Sequence, residues 1–216
     1  MSVCTPAQSH APIVIQAAQS GKVKAIYCEK ALGVTLEEAE MAVDACKKSG
    51  VVLVVNYLRR WSGDYIMAKK IIKEGWIGKI QTVYGIFSGN IMHTGTHMFD
   101  LLLYFFGEPL WVKSKLQDFK AQRKGSSGYM FEMSRHFNDP DATALIRFQN
   151  DIDVFVSGLS KDYFIFEMDI IGEKGRIRIG NFLKELWISK PSIHYKGFRE
   201  LCRVPYPEFK NARNGD

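Results

Sequence analysis

No two of the four cysteines are spaced as Cys-x-x-Cys; they stand apart at positions 4, 28, 46 and 202. That rules out a zinc knuckle and a dithiol redox motif. Cys4 and Cys28 fall in expected buried strands and Cys46 on an apolar helix face. All three read as small buried hydrophobes in a reducing, cytoplasmic compartment. Long apolar runs are also absent. The longest, Val51 to Val55 and Leu101 to Phe106, are far too short to cross a bilayer, so no membrane role is expected. No secretory leader is visible. There is no internal repeat. Nor is there a block of like charge: the net charge is +6 over 216 residues, but the basic residues are scattered in short pairs such as Lys47-Lys48 and Arg59-Arg60. A solvated basic surface is expected from this, not a nucleic-acid groove. Last, no two glycines lie two residues apart. The chain therefore has no Gly-x-Gly-x-x-Gly turn of the kind that, with a helix N-terminus, cradles phosphate.

What is present has the periodicities of an ordinary globular protein, with 46% apolar and 24% charged residues. Cys4-Thr5-Pro6 precedes a helix predicted over 11–20, capped by Ser9 and stopped by Gly21. Residues 24–28 predict a strand that ends at Glu29-Lys30. Thr35-Leu36-Glu37-Glu38 is a capping box, and the helix it opens carries Leu36, Ala39, Val43 and Cys46 on one face. After Gly50, residues 51–56 predict a near-continuous apolar strand, as expected for a parallel sheet covered on both faces. The order is βαβαβ, as in the second half of a dinucleotide-binding domain. A lysine at the carboxyl end of such a strand stands where open α/β sheets bind ligands.

The pattern changes after Tyr57. Residues 64–74 predict a helix, 80–88 a strand and 97–106 an apolar helix ended by Gly107 and Pro109. Strands over 145–149 and 152–156 flank an Asn150-Asp151 turn. Further strands over 164–171, 176–179 and 183–189 predict a meander-like antiparallel sheet carried on at least one helix. Residues 118–140 read as a long loop, and Tyr104, Phe105, Phe164 and Phe166 as core.

Six motifs in register carry a family resemblance: Cys4-Thr5-Pro6 with His10, Gly21-Lys22, Glu29-Lys30, Asn56 to Trp61, Gly75-Trp-Ile-Gly78-Lys79, and Gly95-Thr-His97-Met-Phe-Asp100. Together, over residues 3 to about 190, the chain resembles the Gfo/Idh/MocA family of NAD(P)-dependent oxidoreductases. The resemblance implies an α/β fold: the second half of a Rossmann domain at 1–60, then an α+β domain with a mostly antiparallel sheet at 61–216. It implies NAD or NADP as cofactor, a sugar or polyol as substrate, and a homo-oligomer formed through the C-terminal sheet. There are two departures. Ala31 stands where the family places proline, and a non-proline residue disfavours a cis peptide, so a trans turn or a redirected lysine is expected. The glycine-rich loop is missing, as it would be in a chain truncated at its N-terminus and early at its C-terminus. That absence keeps open an alternative: a non-catalytic binding or assembly protein, or an inactive fragment of the same fold.

Hydride transfer from an alcohol needs a base for the hydroxyl proton and a group that polarises the oxygen. His97 suits the first role, since imidazole titrates near neutrality, and Lys30 the second. Lys30 could also be no more than a surface lysine ending a strand. His93, four residues before His97, and Asp100, three after it, are supporting candidates; Asp100 would either orient the imidazole or cap backbone. The His93/His97 spacing admits a metal reading, but the zincin glutamate and a third ligand are missing, so no metal is expected. By the resemblance, Thr5, Pro6, His10, Glu29 and Lys30 lie where the family contacts cofactor, with a solvent-facing helix start the other reading of His10; Arg60 could contact an anionic group on cofactor or substrate. For Arg60 an interdomain ion pair is the competing reading, and Trp61 would wall the site. Arg135-His136 could reach substrate from the long loop.

Overall fold

The computed structural model describes residues 1–116, 140–159 and 163–208. The chain divides into two compact units, Met1–Leu58 and Arg59–Asp216. The boundary expected after residue 60 falls inside the 3-10 turn Leu58–Trp61.

Unit 1 is β1 (Ser2–Val3), α1 (His10–Gln19), β2 (Ala25–Glu29), α2 (Leu36–Lys48) and β3 (Val52–Asn56). Its sheet has the order β1-β2-β3, all parallel. The capping box forms: Thr35 Oγ1 accepts from the Glu38 amide at 3.2 Å. The Glu38 carboxylate reaches one residue further back than expected, accepting from the Val34 amide at 2.9 Å. Gly50, at φ 65°, ends that segment in the left-handed region where glycine is favoured. Ser9 does not cap α1. Its hydroxyl donates to the Pro6 carbonyl at 2.8 Å and lies 2.7 Å from Thr5 Oγ1, whose hydrogen it can accept, closing the 3-10 turn Ala7–Ser9.

The expectation of a sheet buried on both faces is corrected. Two successive crossovers of the same hand place α1 and α2 on one side. There Val3, Ile26 and Cys28 pack with Val14, Ala42 and Cys46. The other face leaves Tyr27, Val52 and Val54 exposed. Cys4 is exposed too, one residue past β1, while Cys28 and Cys46 are buried as expected.

Unit 2 has α3 (Gly63–Lys73), β4 (Ile80–Phe87), α4 (Thr96–Phe106), β5 (Pro109–Leu116), β6 (Ala142–Phe148), β7 (Asp153–Gly158), β8 (Phe166–Gly172), β9 (Gly175–Gly180), β10 (Lys184–Pro191) and β11 (Arg199–Val204). The sheet order is β11-β10-β9-β8-β4-β7-β6-β5. It is not a simple meander. Two antiparallel meanders flank β4, which pairs antiparallel with β8 and parallel with β7. Asn150 and Asp151, at φ 60° and 63°, make the β6–β7 turn. Arg135 and His136 lie outside the described residues.

Helices α3 and α4 cover one face of this sheet through Tyr65, Ala68, Ile71, Met98, Leu101 and Leu102, against Val83, Val154, Met168 and Ile177. Phe166 is core and Tyr104 and Phe105 pack at its margin, but Phe164 is 47% exposed, because it precedes β8. Among the described residues no helix is long and apolar enough to cross a membrane.

Candidate functional site

The parallel register of unit 1 brings the segments after β1, β2 and β3 to one carboxyl edge: Val3 pairs with Cys28 and Glu29 with Asn56. Thr5, Pro6, Glu29, Lys30 and Asn56 therefore share the edge at which open parallel sheets bind ligands. The Lys30–Ala31 peptide is cis, so the expected trans turn is corrected.

Glu29 is held by Asn56, whose Nδ2 donates to Glu29 Oε1 at 2.7 Å. A carboxylate can only accept, so this bond fixes which way the amide points. Asn56 Oδ1 is then buried with no donor among the described residues. Asn56 opens the Asn56-to-Trp61 motif, but the sequence assigned it no role; its local signal is a polar side chain closing an apolar strand.

His10 was expected to contact cofactor. Instead its ring is 1% exposed, with Nδ1 2.7 Å from the Ala31 carbonyl and Nε2 2.6 Å from the Thr5 carbonyl. Both edges of the imidazole are engaged by backbone.

In unit 2 the Gly95-to-Asp100 motif spans the start of α4. Residues Ile91–Gly95 form a π-helical turn ahead of the helix, with the Gly95 amide bonded to the Asn90 carbonyl at 3.0 Å. His93 sits in this wider turn, so it and His97 do not keep the plain α-helical four-residue register. A side chain at position 95 would place its first carbon 2.8 Å from the Phe87 ring; glycine lets the turn close on β4. Met98, Leu101 and Leu102 go into the core, leaving His97 and Asp100 on a neighbouring helix face, buried at 9% and 8% exposure.

Asp100 turns its carboxylate to Arg60. Its carboxylate oxygens accept from Arg60 Nε at 2.9 and 2.8 Å, and Arg60 also donates to the Asp100 carbonyl at 3.3 Å. Arg60 thus forms an ion pair with Asp100 inside unit 2, not the interdomain pair weighed from the sequence. Its guanidinium lies 5.3 Å from the Tyr104 ring centroid. Lys69 Nζ lies 3.7 Å from the same centroid and donates to the Tyr104 carbonyl at 2.7 Å. Burial, then the positive charges of Arg60 and Lys73, push the Lys69 amine below its ordinary range. Arg59 stacks over Phe166 at 3.9 Å, and burial lowers its basicity. Trp61 is largely exposed. Among the described residues no three His, Cys, Asp or Glu side chains gather as a metal site requires.

A family model described as "Oxidoreductase family, NAD-binding Rossmann fold" matches residues 1–57, and one described as "Oxidoreductase family, C-terminal alpha/beta domain" matches residues 85–198, more than half the chain. The chain is 31% identical over 150 residues to a levoglucosan dehydrogenase of Pseudarthrobacter phenanthrenivorans, covering 59% of this chain and 38% of that protein. It is 25% identical over 241 residues to a myo-inositol 2-dehydrogenase of Thermotoga maritima, covering 99% of this chain and 69% of that one. Among solved structures, a levoglucosan dehydrogenase in complex with NADH and levoglucosan superposes with a TM-score of 0.72 at 26% identity, covering 94% of this chain and 60% of that one. The chain spans well under two thirds of the length of the first curated relatives it matches.

Proposed function

We propose that this chain, which belongs to the Gfo/Idh/MocA oxidoreductase family, takes part in NAD(P)-dependent hydride transfer at a hydroxyl-bearing carbon of a sugar or polyol. The observation that carries this reading is His97: a buried imidazole on the first turn of α4, inside the span that matches the oxidoreductase domain. The names of the similar dehydrogenases support the substrate class.

In this reading the dinucleotide, when bound, supplies the nicotinamide carbon that accepts the hydride. His97 takes the hydroxyl proton as the C–H pair leaves. Lys30 holds the oxygen and favours its developing negative charge. Thr5 and the Glu29–Asn56 pair would hold the cofactor's nicotinamide end. The fit there rests on Asn56 Oδ1, a buried acceptor with no donor among the described residues, which suits an amide or hydroxyl hydrogen. The pyrophosphate end has no glycine turn in this sequence.

Fluorescence titration with NADH and NADPH tests the reading directly. Saturable binding of at least one, followed by oxidation across a panel of polyols and anhydrosugars, is the expected result. A flat titration with both sinks it.

A homo-oligomer formed through the unit 2 sheet is part of the same proposal. On the face away from α3 and α4, Tyr84 and Phe155 stack at 5.3 Å between centroids while 44% and 42% exposed. Beside them run Asp169 with Arg176, and Glu185 with Arg178 and Arg203. An apolar centre flanked by both charge signs can complement itself across a twofold axis. Phe155→Lys is expected to convert the oligomer to a monomer by sedimentation velocity. A wild-type monomer at micromolar concentration would remove the oligomer from the proposal.

A further inference from the structure

We propose that His10 is the positioning residue for Lys30: it clasps the two ligand-side turns of unit 1 together and so fixes the root of the lysine side chain. The inference rests on Lys30 serving the proposed reaction. It takes the first residue of α1, expected to face a ligand, and assigns it a role through another residue.

The geometry is specific. Thr5 follows β1 and Ala31 follows β2, adjacent strands whose carboxyl ends lie side by side. The imidazole spans the gap, 2.6 Å from one carbonyl and 2.7 Å from the other. Ala31 is the residue bonded to Lys30, so holding its carbonyl leaves the lysine backbone little freedom. The Thr5 turn is braced independently by Ser9, through its Oγ contacts to Thr5 and Pro6 and its amide bond to the Pro6 carbonyl at 2.9 Å. The clasp therefore ties the second turn to one already rigid. Carbonyl oxygens are acceptors only, so whichever ring nitrogen carries hydrogen donates to the carbonyl it faces. An apolar side chain of similar volume would fill the space without making the tie. Pre-organising a polarising group in this way is what electrostatic stabilisation of a reacting oxygen needs.

Limited trypsinolysis reads the clasp without depending on cofactor, because Lys30–Ala31 is itself a tryptic bond. The full chain, His10→Leu and His10→Ala are compared, with Lys47, Lys48 and Lys174 as internal reference sites in the two units. Loss of the ring's hydrogen bonding predicts roughly tenfold faster cleavage after Lys30 in both variants, with the reference sites unchanged. Imidazole added to His10→Ala should slow that cleavage again. Wild-type resistance in His10→Leu would make the role one of packing and overturn the proposal, as would equal acceleration at every site. His10→Gln, which keeps an amide donor, should fall between wild type and Ala; collapse of unit 1 by circular dichroism in both Gln and Ala would make His10 a fold residue and also overturn it. A flat NADH titration alongside a positive proteolysis result would fault the reaction while leaving the clasp in place.

Discussion

Replacing His97 by asparagine lowers dinucleotide-dependent turnover by about a hundred- to ten-thousand-fold, the range a positioned general base supplies. Asparagine keeps a polar group of similar reach but cannot take up the hydroxyl proton. The side chain stands on the first turn of α4, and the core contacts of that helix come from Met98, Leu101 and Leu102, so the fold of unit 2 should persist. Affinity for NAD(P)H should change little, since the lost group acts on the substrate proton. Lys30→Ala should lower kcat/KM as well, with the loss appearing in kcat if the ammonium acts mainly on the developing oxyanion and in KM if it acts mainly on the bound alcohol. Steady-state kinetics with thermal melts on the same preparations check both. Wild-type turnover in either variant removes that residue from the reaction.

Much of the fold could be read where local signals agreed. Thr35 and Glu38 announce the start of α2, and the apolar runs into Glu29 and Asn56 mark β2 and β3. The elements that escaped were set by partners far away in sequence. β5 starts at Pro109, two residues after the Gly107 stop, and its side chains are all exposed; without a buried face it carries no alternation, and only pairing with β6 makes it a strand. β11 is similar, an alternating half-exposed edge strand. The central place of β4 depends on which strands return to it, and no local pattern encodes that. Among the candidate residues, His97 and Lys30 drew notice because each sits at a punctuated element end. The partners of His10, Glu29, Arg60 and Asp100 were not, since each is chosen by a contact across 5 to 40 residues of sequence.

Arg60→Met is expected to destabilise unit 2 more than Asp100→Asn does, though both break the same pair. The two partners are unequally buried: the Asp100 side chain is 9% exposed and that of Arg60 36%. Losing Arg60 strands a carboxylate that water can barely reach, and removing one member of a buried pair costs about 3–5 kcal/mol. Losing the Asp100 charge leaves a guanidinium that still stacks towards Tyr104, reaches solvent and can donate to the Asp100 carbonyl, so a cost of roughly 1–2 kcal/mol is expected. The double variant Arg60→Met/Asp100→Leu should recover much of the single-variant loss, because an apolar pair removes both desolvated charges. Denaturant melts of the three variants measure this ordering. If Asp100→Asn proved the more damaging, the carboxylate would have to serve something beyond Arg60, and its place one helical turn from His97 would make the imidazole the first partner to examine.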